Sequence, residues 1–162
     1  MHPLDPAPRT AILVPGFRTE KNTRVFENGW NVEAERFAPA VVAGTMVQLR
    51  ELAASGVGIS HAVVVFGSDP LERLADRDRD FIWEAFGVPV FEQYLDERRN
   101  LLAHECDAHD GLHAEKAPAG AELDRTPCAC GSEVPKLVPA RAPTRMPVAS
   151  AAKAKAAAAS AA

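Results

Sequence analysis

The chain predicts an α/β fold, a mostly parallel sheet built from βαβ units with helices on both faces. Short apolar runs closed by glycine or proline turns alternate with longer stretches of helical periodicity, as in strands joined by crossover helices. The clearest run, His61-Ala62-Val63-Val64-Val65-Phe66-Gly67, is continuous rather than alternating, which suits a parallel strand buried on both faces. Beyond Pro135 the composition collapses to Pro, Ala, Lys and Ser, which offers little to bury.

Residues 1–9 form a Pro-rich N-terminal arm without the layout of a signal peptide. Thr10 to Pro15 is an apolar run closed by Pro15-Gly16 and reads as a buried strand. Residues 19–38 are polar with scattered apolar positions and read as helical in parts. Pro39 to Gly44 is a second strand. Thr45 and Gln48 then have the spacing of a capping box, with Met46, Leu49, Leu52 and Ala53 on one helical stripe and Gly56 as C-cap. After the strand over 61–67, Leu71 to Phe86 reads as a helix. Its expected core positions are Leu71, Leu74, Ala75, Ile82, Ala85 and Phe86. The Asp-Arg-Asp-Arg-Asp run at 76–80 is expected to face water, with pairs such as Arg73–Asp76. Gly87 ends that helix, Val88 to Tyr94 is a fourth strand, and Leu101-Leu102-Ala103 starts a fifth. The domain then spans 10–134, followed by a disordered Pro/Ala/Lys tail over 135–162.

At 162 residues the chain has room for one domain of roughly 100–150 residues plus a tail. No apolar run approaches the length of a membrane span, and three clustered cysteines argue against a secreted disulfide scaffold. The cytoplasm is the expected compartment. Net charge is −4, unevenly spread: every acidic residue precedes Pro135, while Lys136, Arg141, Arg145, Lys153 and Lys155 follow it. An acidic folded part argues against nucleic acid as a partner, and the basic tail reads as a solvated extension.

All three cysteines, Cys106, Cys128 and Cys130, fall in one segment, with His104, His109 and His113 nearby. Thiolates and imidazoles are the ligands Zn²⁺ prefers, four around a tetrahedron. A C-x-C pair closed by Gly131 makes a tight chelating turn, and C-x2-H and C-x6-H spacings offer His109 or His113 from the other side. Segment 104–134 therefore reads as a zinc knuckle. The competing readings are thiols packed as small apolar groups, and an open catalytic zinc with Glu105 as general base. Three cysteines plus histidines fill four positions, which favours a closed structural site.

Several stretches together resemble the phenylacetate–CoA ligase branch of the adenylate-forming enzymes. Phe37-Ala38-Pro39-Ala40-Val41-Val42-Ala43-Gly44-Thr45 is similar to the family's strand–turn–helix before its substrate pocket. Val65-Phe66-Gly67-Ser68-Asp69-Pro70-Leu71 resembles its G-(S/G)-E-P-L turn. Tyr94 through His113 resembles Y-G-x-T-E-x(7)-E-C-x(4)-G-L-H, and Pro127-Cys128-Ala129-Cys130-Gly131 resembles P-C-x-C-G. The resemblance implies metal ligands Cys106, His113, Cys128 and Cys130, with His109 as the alternative. It also implies a ligand edge at Gly67, Ser68, Asp69 and Tyr94.

The departures are chemical. Leu95, Glu97 and Arg98 stand where the family has Gly, Thr and its metal-binding Glu, and Arg98 cannot ligate a cation. The phosphate loop and the catalytic-Lys domain have no counterpart. Adenylation depends on several such elements at once. The resemblance therefore implies a stand-alone, non-catalytic, zinc-stapled binding or accessory protein. Its partner would be another protein or a small acyl or nucleotide-like ligand, with the oligomeric state open. The alternative is a fragment of a split CoA ligase that works only with a partner polypeptide.

Overall fold

Turn chemistry and strand patterning position every element in the computed structural model, which describes residues 8–140. In chain order these are β1 (Thr10–Ile12), β2 (Thr23–Val25), α1 (Val32–Phe37), β3 (Val41–Gly44), α2 (Met46–Ala54), β4 (Ala62–Gly67) and α3 (Asp76–Phe86). There follow β5 (Val90–Leu95), β6 (Leu101–Glu105), β7 (Leu112–His113), β8 (Ala121–Asp124) and β9 (Lys136–Pro139). The strands form a nine-stranded sheet in the order β2-β1-β3-β4-β5-β6-β7-β9-β8.

The sheet is parallel from β2 to β5 and antiparallel from β5 to β8. It is therefore mixed, not mostly parallel. The change of direction lies in one turn. The Asp96 carboxylate accepts from the Arg98 and Asn100 amides, both at 2.8 Å, and reverses the chain so that β6 returns beside β5. A tight turn joins only antiparallel neighbours.

The helices α1, α2 and α3 all lie on one face, against Ala11, Leu13, Val42, Val63, Val65 and Val90. This corrects the expectation of helices on both faces, and handedness gives the reason. The crossovers β2→β3, β3→β4 and β4→β5 all step the same way along the sheet, so right-handed connections place their helices on one side. The β1→β2 connection steps the other way, and its Phe17 crosses to the opposite face, where it stacks on Phe66 at 5.3 Å between ring centroids. That face carries Ile12, Val14, Ala43, Val64 and Phe66 and no helix among the described residues.

Thr45 and Gln48 make the expected capping box, and Gln48 Nε2 also donates to the Leu13 carbonyl at 2.7 Å. Gly87 closes α3 in the left-handed region at φ 65°. The helix itself starts at Asp76 rather than Leu71. Leu71, Ala75 and Ala85 are exposed, so the core contacts reduce to Leu74, Phe81, Ile82 and Phe86. The charge run is not a uniformly solvated face. Asp78 pairs with Arg50 of α2 at 2.5 Å, Arg79 turns inward, and Arg73 pairs with Glu92 instead of Asp76. Residues 136–139, expected in the tail, form β9; the remaining expected tail from 141, and arm residues 1–7, lie outside the described residues. No helix among the described residues is long and apolar enough to cross a membrane.

Candidate metal centre

β6 ends at Glu105, and the chain turns at once, the His109 amide donating to the Cys106 carbonyl at 2.9 Å. β7 then brings His113 back beside His104. Between β8 and β9 the other two thiols, Cys128 and Cys130, sit on a turn closed by Gly131, whose amide donates to the Cys128 carbonyl at 3.0 Å. Gly131 has φ 75°, a conformation glycine adopts without a Cβ penalty.

These turns bring Cys106, His113, Cys128 and Cys130 together, with their ligand atoms within 4.8 Å of one another, close enough to hold a metal ion. Cys106 Sγ lies 3.7 Å from Cys128 Sγ, and Cys130 Sγ lies 3.5 Å from His113 Nε2. The outer partners are in place as well. His113 is fully buried, and its Nδ1 is 2.6 Å from the Val134 carbonyl, which fixes the Nδ1–H tautomer and leaves Nε2 free to ligate. The Ser132 amide donates to Cys130 Sγ at 3.4 Å and holds that thiol below its ordinary range. Partial burial pushes the Cys106 thiol up to about 11. His104, half-buried 5.6 Å from the His113 ring, has its pKa lowered by burial and by His113.

His109 is not a member of the group. Its ring stacks on Phe91 at 4.9 Å, and its Nδ1 is 3.0 Å from Glu105. Glu105 does not face the metal ligands either. Pairing of Glu105 with Leu112 and of His104 with His113 puts Glu105 and His113 on opposite faces of the sheet. Both Glu105 oxygens are engaged, with His109, Arg79 and the Glu92 amide. The general-base reading is therefore not supported.

At the expected ligand edge, Gly67 and Tyr94 help line a cavity of about 280 Å³ beside Glu72, Arg73 and Glu92. The Asp69 carboxylate accepts from the Leu71 amide at 2.8 Å and closes the turn after Gly67 and Ser68. Tyr94 is buried, its ring lying so close over Gly67 that a Cβ there would meet the ring at 2.6 Å. Its hydroxyl donates to the Glu92 carboxylate.

Sequence reasoning missed the charged lattice around Glu92. This carboxylate, 2% exposed, accepts from Arg73 Nη2 at 2.8 Å, Arg79 Nη2 at 2.5 Å and the Leu74 amide at 3.0 Å. Burial alone would raise its pKa. The hydrogen bonds from Arg73, Tyr94 and Leu74 outweigh that and hold it at about 2. Arg79 also reaches Glu105 at 3.1 Å. Above this lattice an open cleft of about 550 Å³ runs between Trp83 of α3 and His109 of the turn after β6. The only sequence signal for the lattice was Glu92 itself, a charged residue on the strand face it shares with Val90 and Tyr94.

No protein-family model matches the chain, and no curated protein gives a significant match to it.

Proposed function

We propose that this chain is a zinc-stapled, non-catalytic binding or accessory protein, a relative of the phenylacetate–CoA ligase branch in which the metal holds the fold. One observation carries the reading, the edge lengths of the Cys₃His group. Zn–S bonds of about 2.3 Å and a Zn–N bond of about 2.0–2.1 Å at tetrahedral angles separate two sulfurs by ~3.8 Å and a sulfur from a nitrogen by ~3.6 Å. The corresponding distances here are 3.7 Å and 3.5 Å. Soft thiolate donors select zinc over the oxygen-preferring Mg²⁺ and Ca²⁺. Four protein donors complete the tetrahedron and leave no position for water or substrate, which is the composition of a structural site.

Other residues support the absence of adenylation chemistry. Arg98 is exposed on the β5–β6 turn, Asp69 is committed to its own turn, and Tyr94 is buried. The cleft beside Trp83 and His109 is the roomier surface for a small ligand. Native mass spectrometry with elemental analysis of protein purified without chelator should find one zinc per chain. Substoichiometric metal, or a different ion in replete protein, would reject the reading.

The sheet face that carries no helix among the described residues favours one alternative, a split adenylate-forming CoA ligase whose second polypeptide supplies a further layer there along with the phosphate loop and catalytic Lys. Its signature is carboxylate-dependent pyrophosphate exchange that appears only when that polypeptide is added.

A further inference from the structure

Two sulfurs of the Cys₃His group, Cys106 and Cys128, lie 3.7 Å apart and come from different parts of the chain. Cys106 follows β6, whereas Cys128 lies 22 residues on, in the β8–β9 loop. Cys106 is partly exposed and Cys128 is buried. Cys130 is otherwise engaged, its sulfur facing His113 Nε2 at 3.5 Å and the Ser132 amide at 3.4 Å. It is also only two residues from Cys128 on a tight turn, too short a span for an unstrained bond between them. We propose that Cys106 and Cys128 are a covalent modification site, a disulfide that forms on exposure to a peroxide and releases the metal. The proposal rests on the zinc reading above.

The chemistry balances as a two-electron oxidation of two thiolates. The exposed Cys106 sulfur attacks one peroxide oxygen; the O–O bond breaks, hydroxide leaves, and Cys106 becomes a sulfenic acid. Cys128 then attacks the Cys106 sulfur, the S–S bond forms, and a second hydroxide departs. Two protons from buffer acid convert both hydroxides to water, so two thiolates, one hydrogen peroxide and two protons give one disulfide and two waters. The metal loses two of its four donors and keeps only Cys130 and His113, too few to retain it against solvent. The new bond joins the same two loops that the metal joined. It removes loop-closure freedom from the unfolded chain, so the fold outlasts the loss of the metal.

The full-length, metal-replete protein is treated with hydrogen peroxide while a chromogenic chelator reports released zinc and peptide mapping locates the cross-link. The expected result is one equivalent of zinc released in step with a Cys106–Cys128 peptide, reversed by a thiol reductant and added zinc. The oxidised protein should also melt above the reduced, chelator-stripped protein. Cys130→Ser should still form the bond. A Cys128–Cys130 or intermolecular link, thiols that stop at sulfinic acid, or retained zinc overturns the proposal. If the purified chain carries no zinc, the metal reading fails separately. Peroxide treatment of that metal-free protein still decides the pairing, because the map does not depend on metal.

Discussion

Glu92 shows how one buried charge ties local stability to pH. Its carboxyl sits at about 2 in the folded protein, against about 4.3 in an unfolded chain. A depressed carboxylate contributes fully above its unfolded pKa and loses that contribution as pH falls toward its folded value. The loss should therefore fall between about pH 4.5 and pH 2 and amount to roughly 2–3 kcal/mol. Urea unfolding across that window should show the wild type losing stability steeply. Glu92→Gln should be weaker at neutral pH, because Arg73 loses its counter-charge and Arg79 keeps only Glu105, and should have a shallower acid slope. An unchanged slope would assign it to other carboxylates. The sequence carried only part of this. Ligand chemistry is local, so residue type and spacing marked Cys106, Cys128, Cys130 and either His109 or His113 as candidate ligands, and only the family resemblance singled out His113. The partners of Glu92 were not, because Arg73 and Arg79 sit in a charge run whose inward members are chosen by the neighbouring strands, not by their own periodicity.

Among the elements, the contrast is between the parallel and antiparallel halves. The helix-covered core of β1, β3, β4 and β5 is one cluster, while Tyr94, Ala103, Leu112 and Ala114 form a much smaller one in the other half. All four candidate ligands belong to β7 and to the loops after β6 and β8. A small core offsets little of the chain entropy lost on folding, so that half is the one a bound metal would stabilise most. Chelation should raise amide hydrogen exchange in β6, β7, β8 and β9 while β3 and β4 stay protected, with Cys128→Ser acting alike. Uniform loss of protection, or none, would show that the metal is not a local staple. Legibility followed element length. The six-residue β4 and the capped α2 declared themselves through burial pattern and capping box. β2 and β7, of three and two residues, are too short for any periodicity and take their conformation from the strands they pair with.

For the whole molecule, the strand directions were only half legible, since apolar runs announce strands but their direction depends on the connections. Asp96 turned the fifth strand into a hairpin and with it the rest of the sheet. The chain alone should show only background pyrophosphate exchange with ATP, Mg²⁺ and a panel of aryl and fatty acids, and Arg98→Glu should not change that. Robust exchange by the purified chain would overturn the non-catalytic reading. The same mixed sheet also sets an order in time. The β5–β6, β6–β7 and β8–β9 pairs join successive strands, whereas β3 pairs with β1 only after β2 and the crossover through α1 have been made. Contacts between near neighbours in sequence form fastest. The half of the sheet made later is thus the half able to close soonest. The supply of metal at that moment, rather than the larger core made earlier, would then time the completion of the fold.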